Sequence, residues 1–284
     1  MKKLENKKTV ITGGSRGIGK AIAEAFLREG AEVWLAARSA SELQETTKVL
    51  SRLGQVRCSA LDVSDRKAVA RFAGEVQKIW GGVQILVNGA GVYGPIGIVS
   101  DVDPEEWLAA LTVNLYGTFL MTHDFAPLMA PGSTIINFVG GGEGAYPHFS
   151  SYVAAKGGIA RFTETVAAEL KNKGIAVNAI APGAVNTKLL DDLLKAGPEK
   201  SGKENYEKAM KQKNSGGVSP EKAASLCVWL ASDASKGLTG KILSAVWDNF
   251  EKIPERMEDI MKSDVYTFRR VRPKDREFKW DEKL

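Results

Sequence analysis

Thr9-Val10-Ile11-Thr12-Gly13-Gly14-Ser15-Arg16-Gly17-Ile18-Gly19 decides the fold. A short apolar run ends in a glycine-rich turn. An amphipathic helix follows, with Ile18, Ala21, Ile22, Ala25 and Phe26 on one face, and stops at Gly30. A second apolar strand at 32–36 closes a βαβ unit within about thirty residues. In this setting Gly13, Gly17 and Gly19 let the backbone turn tightly and approach a pyrophosphate, which the helix N-terminus stabilises. Ser15, Arg16 and Ile18 share the turn and join them as cofactor-binding candidates.

The alternation continues outward. Ser41 caps a helix through 53, and strand 56–61 ends at Asp62-Val63. Residues 65–80 are helical, and strand 84–87 ends in Asn88-Gly89-Ala90-Gly91. Asp103-Pro104-Glu105-Glu106 starts a helix that runs past Asn114. Strand 133–139, helix 149–173 and strand 175–180 follow, the last stopping at Pro182-Gly183. The lysine-rich stretch 188–214, broken at Gly197-Pro198, reads as a mobile lid. A helix from Ser219-Pro220-Glu221 and a strand at 241–246 complete the pattern. Short connections and strict alternation predict an α/β fold, a doubly wound parallel sheet of about seven strands. Residues 1–246 read as one domain. The charged stretch 247–284 reads as a C-terminal extension packing on that domain or on a neighbouring subunit.

Composition narrows the class. With 284 residues, 44% hydrophobic and 26% charged, a sizeable core is expected. The net charge of +5 suits an anionic ligand and is too small to argue for nucleic acid. Cys58 and Cys227 lie far apart, which argues against a disulfide framework or a metal site and fits a reducing compartment. No apolar run reaches spanning length and no signal-like segment opens the chain. A cytoplasmic protein without a membrane anchor is expected.

Two stretches carry chemistry. The second strand ends Ala37-Arg38-Ser39, where a carboxylate would hold the ribose hydroxyls of NAD and a basic residue the 2′-phosphate of NADP. Arg38 and Ser39, with Arg16 in reach, favour NADP(H) over NAD(H). In Ser150-Ser151-Tyr152-Val153-Ala154-Ala155-Lys156, Tyr152 and Lys156 share a helix face. An ammonium there is expected to lower the phenol's pKa from about 10, so that Tyr152 exchanges a proton with a carbonyl or alcohol oxygen.

Thr12-Gly-x-x-x-Gly-x-Gly, Asp62-Val63, Asn88-Gly89-Ala90-Gly91, Asn114, Tyr152-x-x-x-Lys156 and Pro182-Gly183 occur in the order and spacing of the single-domain short-chain dehydrogenases/reductases. The chain resembles that family from residue 8 to about 246. The resemblance implies a Rossmann-like fold and an oxidoreductase that interconverts a carbonyl and a secondary alcohol by hydride transfer. It implies that Tyr152 is the acid/base and that Lys156 holds the nicotinamide ribose and tunes the phenol. Asn114 would support a bound water in a proton relay. Asp62 and Val63 would sit by the adenine. Asn88, Ala90 and Gly91 would line the cofactor, and Pro182, Gly183, Val185 and Thr187 its carboxamide end. Relatives are commonly dimers or tetramers, so a homo-oligomer acting on a small-molecule substrate is expected.

Three departures stand out. The family places a serine about a dozen residues before the tyrosine, and here the chain reads Asn137-Phe138-Val139-Gly140-Gly141-Gly142. Ser150, Ser151, Asn137, a glycine N–H or the substrate's own hydroxyl are the possible substitutes. Otherwise the chain binds cofactor with weak or no catalysis. Gly89 stands where a second asparagine is common. The usual glycine-rich ending is replaced by 244–250 and a tail whose basic cluster, Arg269-Arg270-Val271-Arg272-Pro273-Lys274, could clamp an anionic substrate group.

Overall fold

The computed structural model describes residues 2–142 and 144–278. The far end of the expected extension, 279–284, lies outside the described residues, as does Met1. Seven parallel strands form one sheet in the order β3-β2-β1-β4-β5-β6-β7. They are β1 (Lys8–Thr12), β2 (Glu32–Ala37), β3 (Val56–Ala60), β4 (Ile85–Asn88), β5 (Thr134–Phe138), β6 (Ala176–Ala181) and β7 (Ile242–Ser244). Their direction follows from the crossovers, because a helix between successive strands returns the chain to the same edge. The order reverses between β1 and β4. In such sheets this reversal opens a crevice beyond the strands' carboxyl ends.

Both sheet faces are covered, which is why the central strands are buried along nearly their whole length, while the edge strand β3 exposes Arg57 and Ala60. Val10, Leu86 and Ile135 point into one core, with Phe72, Val76 and Phe125. Their neighbours Ile11, Val87 and Ile136 point into the other, with Ile22, Phe26 and Trp229. The first face is packed by α3 (Arg66–Trp80), α5 (Gly117–Phe125) and α6 (Ser150–Leu170). The second is packed by α1 (Gly17–Arg28), α2 (Ala40–Leu50) and α9 (Pro220–Ala231).

Local punctuation sets the helix starts. Asp65 caps α3 by accepting from the N–H groups of Lys67 and Ala68 at 2.8 and 3.1 Å. Asp65→Ala is expected to cost about 1 kcal/mol, read as a lower urea midpoint with an unchanged slope. Ser39, not Ser41, caps α2: its hydroxyl accepts from the Glu42 N–H, and the helix ends at Leu50. Asp103 caps α4 (Pro104–Leu111), which runs through a wide π turn, Thr112–Tyr116, into α5.

The stretch expected as a lid is helical. It forms α7 (Lys188–Ser201), kinked at Gly197 with φ 76°, and α8 (Lys203–Ser215). Leu190, Leu193 and Ala209 from this pair are buried against Phe149, so apolar packing that the lysine content masks holds the segment down.

After β7 a 3₁₀ turn at Phe250–Arg256 and α10 (Met257–Lys262) place Ile253 and Ile260 in the second core. The chain then closes the β7 edge. The Ile242 N–H donates to the Tyr266 carbonyl at 2.8 Å, and Lys241 Nζ donates to the carbonyls of Ser263 and Val265. Among the described residues no helix is long and apolar enough to cross a membrane.

Candidate active site

The carboxyl ends of β1, β4, β5 and β6 surround the crevice. After β1 the backbone turns at Gly13 with φ 69°, and a Cβ there would stand 2.7 Å from the Gly89 carbonyl oxygen. A Cβ on Gly19 would collide with the Gly13 carbonyl. The first α1 turn carries no acidic residue, and Arg16, its N-cap, makes no side-chain cap. Its N–H groups are therefore open to an anion. Thr187 lies over the loop, its methyl 3.3 Å from where a Gly17 Cβ would be.

Arg16 and Ser15 converge on a residue the motif reading passed over. Glu42 pairs with Arg16 at 2.8 Å and accepts from the Ser15 hydroxyl at 3.0 Å. Its signal was local: Ser39-Ala40-Ser41-Glu42 has the spacing of a capping box, but the carboxylate turns toward the glycine loop instead of back to the cap. Arg38 is exposed beside Asp62. Burial pushes the Asp62 carboxyl up, but bonds from the Ser64 hydroxyl and N–H, and the Arg38 charge, outweigh it and hold it below the usual range. Val63, Asn88 and Ala90 line a narrow crevice with Thr12, Val113, Gly117 and Thr118. Asn88 donates to Thr122 and Asn137, and its buried Oδ1 has no partner among the described residues.

Pro182 and Gly183 leave β6 in a turn, Gly183 at φ 83°, and Val185 is buried in a bridge to Val218.

Asn114 sits in the π turn, fully buried. Its amide grips Val92 at both backbone groups, accepting from the N–H at 3.2 Å and donating to the carbonyl at 2.9 Å. A second N–H bonds the Ala110 carbonyl. A Cβ on Gly91 would stand 2.8 Å from Asn114 Oδ1 and 3.7 Å from Lys156 Nζ. Lys156 is 6% exposed and donates to the Phe138 carbonyl at 3.0 Å. Burial lowers its pKa to about 8. Its ammonium lies 5.7 Å from the centre of the Tyr152 ring.

The expectation that this ammonium makes the phenol more acidic is not met. Burial pushes the Tyr152 phenol up, with Tyr146 adding to the effect. Lys156 is itself desolvated and directed at a carbonyl, so desolvation wins at both members of the pair.

The glycine run after β5 carries no hydroxyl, and Gly140 lies directly against the Tyr152 hydroxyl, where any side chain would collide with it. Of the side chains considered as substitutes, Asn137 and Ser151 are engaged elsewhere, while Ser150 is an acceptor only. Asn137 bonds Asn88 and Thr163. Ser150 accepts from the Trp107 indole at 3.0 Å, and Ser151 donates to the Tyr93 carbonyl at 3.1 Å. An aromatic cluster stands over the site. Tyr93 meets Tyr152 edge-on with centroids 4.9 Å apart and Phe149 at the same distance, and Tyr146 stacks on Phe149 at 4.3 Å. The cluster's members come from two stretches of the chain, Tyr93 and residues 146–152, which no local pattern joins.

The basic tail does not reach this site within its own chain. The Phe268 N–H bonds Glu164, and Arg161 lies over the Phe268 ring, both on α6 more than two turns beyond Tyr152. Arg269 pairs with Asp264 and Asp275.

A family model described as "Enoyl-(Acyl carrier protein) reductase" matches residues 13–245. The chain is 37% identical over 250 residues to "Uncharacterized oxidoreductase YxbG" of Bacillus subtilis (strain 168), covering 86% of this chain and 91% of that protein. It is 34% identical over 247 residues to the 3-oxoacyl-[acyl-carrier-protein] reductase FabG of Thermotoga maritima, covering 85% and 96%. Among solved structures, NAD+-bound xylitol dehydrogenase superposes with a TM-score of 0.77, covering 86% of this chain and 98% of that one, at 24% identity. That last likeness is one of fold.

Proposed function

Because the chain belongs to the short-chain dehydrogenase/reductase family, we propose that it is an NADP(H)-dependent oxidoreductase that interconverts a ketone and a secondary alcohol, with Tyr152 as acid/base. The observation that carries this is the meeting of Tyr152, Lys156 and the Asn114-held loop at the mouth of the glycine cradle. The residues present fit a dinucleotide. The cradle admits no side chain, the first turn of α1 is uncapped, and Asn88 Oδ1 is buried and unpaired among the described residues. Gly13, Ser15, Gly17, Ile18 and Gly19 would hold the pyrophosphate, and Asp62 and Val63 the adenine end. Ala90, Gly91, Lys156, Val185 and Thr187 would hold the nicotinamide end. A bound nicotinamide supplies or accepts the hydride at the substrate carbon. Tyr152 gives its proton to the substrate oxygen in the reducing direction and takes it back in the other. Lys156, buried as a cation below about pH 8, would hold the nicotinamide ribose. Asn114 fixes the loop that shapes the pocket.

Arg38, and Arg16 once released by Glu42, are assigned to the 2′-phosphate. Arg38→Ala is expected to weaken NADPH binding by about 10- to 100-fold, the worth of one charge-assisted bond, and to leave NADH nearly unchanged; fluorescence titration of both reads this out. The stacked, exposed Tyr116 and Phe119 on the α5 face, with Phe162 of α6 beside them, support a homo-oligomer through these helices.

The deciding experiment incubates the protein with NADPH and a panel of a 3-oxoacyl thioester and open-chain and cyclic ketones. Stoichiometric NADPH oxidation and alcohol formation with at least one member is expected. Tight NADPH binding with no turnover across the panel overturns the catalytic assignment.

A further inference from the structure

Glu42 is a charged side chain at the glycine loop that neither the glycine motif nor the tyrosine motif contains. One of its oxygens lies 2.8 Å from Arg16 Nη1 and the other 3.0 Å from the Ser15 hydroxyl. Four residues on, the buried Thr46 hydroxyl donates to the Ser15 carbonyl at 2.6 Å. Residues four apart share a helix face, so one face of α2 grips the loop twice. Thr46 fixes its backbone, whereas Glu42 occupies its donors.

The same turn of α2 starts where β2 ends. Ser39 caps it by accepting from the Glu42 N–H at 3.3 Å, and the Ser41 hydroxyl lies 3.2 Å from that of Ser39. Pairing with Glu42 therefore brings Arg16 within a helical turn of Ser39, and Arg38 directly precedes that cap. Two guanidinium groups, two hydroxyls and the start of a helix together have the chemistry of a phosphate site. The Glu42 carboxylate opposes it. It sets a negative charge among these groups and takes the Arg16 donors that a phosphate would use.

Resting on the oxidoreductase reading above, we propose that Glu42 sets the preference between NADP(H) and NAD(H), because the 2′-phosphate has to take Arg16 from its carboxylate. The exchange is an easy one. The Arg16 and Glu42 side chains are 51% and 39% exposed, and a pair so placed is worth about 5-fold at most in an equilibrium constant. A phosphate carrying about two charges competes for the guanidinium, and the freed carboxylate turns into water rather than being left buried. An adenosine ribose with a free 2′-hydroxyl brings no charge to the exchange and leaves the pair closed. NADP(H) thus binds more weakly than the two arginines alone would allow, and the discrimination against NAD(H) is correspondingly small.

The test titrates the whole protein calorimetrically with adenosine 2′,5′-bisphosphate and adenosine 5′-phosphate, which differ only in the 2′-phosphate, and then with NADPH and NADH. Glu42→Gln removes the charge and keeps an acceptor for Ser15, at an exposed position where folding is preserved. It is expected to tighten the bisphosphate and NADPH by about 10-fold and to leave adenosine 5′-phosphate and NADH nearly unchanged. Most of that gain is expected to vanish when Arg16→Gln is also present, which a merely structural role for Glu42 would not produce. An unchanged bisphosphate affinity in Glu42→Gln overturns the proposal, as does a gain that persists in full beside Arg16→Gln. Weaker NADH and adenosine 5′-phosphate binding in Glu42→Gln also overturns it, by making the carboxylate a ribose acceptor. If none of the four ligands binds the unaltered protein, the oxidoreductase reading fails and this proposal with it.

Discussion

Replacing Tyr152 by phenylalanine is expected to lower kcat for ketone reduction by about 10²- to 10⁴-fold, the usual contribution of a positioned acid, while NADPH still binds. The substitution deletes a single oxygen. The edge-on contact with Tyr93 survives it, and the collision surface facing Gly140 is relieved rather than worsened. The upward push on the phenol keeps it protonated well above neutral pH. Ketone reduction needs the protonated phenol and is therefore expected to run at neutral pH. Alcohol oxidation needs the phenolate and should gain from alkaline conditions. Steady-state rates in both directions, with NADPH affinity measured separately, test this; an unchanged kcat removes Tyr152 from the chemistry.

Lys156→Met is expected to abolish turnover and yet stabilise the cofactor-free chain at pH 7. Burial brings the Lys156 pKa from its ordinary 10.5 to about 8, a drop worth about 3 kcal/mol at 1.36 kcal/mol per decade. Losing the bond to the Phe138 carbonyl opposes the gain by about 1 kcal/mol, which leaves roughly 2 kcal/mol in favour of methionine. The sign follows from proton binding. Between pH 8 and 10.5 the unfolded chain holds a proton that the folded chain has released, so the native protein's stability rises with pH across that window. The variant's advantage is therefore full below about pH 8 and gone above about 10.5. Urea unfolding of both proteins at pH 7 and pH 10 measures it. A variant no more stable than the parent at pH 7 would show that the ammonium is not held at a cost.

Much of the framework was legible because its signals are local. Asp103-Pro104 and Ser219-Pro220 mark helix starts that the structure places where expected, and the glycine turn of residues 13–19 follows from one strand meeting one helix. What escaped was set by contacts distant in sequence. Ser39 and Ser41 are both good caps, and only the register of α2 chooses between them. The lysines of 188–214 dominated that segment's composition, while Leu190, Leu193 and Ala209 decided its packing. The acidifying effect expected of Lys156 depended on spacing alone, whereas the pKa direction depended on burial. The basic tail offered a substrate clamp on charge, yet the backbone of β7 and the carboxylate of Glu164 hold it on a different part of the chain.

The π turn at Thr112–Tyr116 gives the site a dependence on length. An ordinary α-helix advances roughly 100° per residue, so the widened turn acts as one residue wound in without a matching step of rotation. Removing any one of those five residues would let the helix relax to regular winding. Asn114, or its replacement, would then swing away from Val92, although no side chain in the crevice had been altered. Within this segment the placement of Asn114 is stored as a residue count, and a chain shortened by one residue there would lose it.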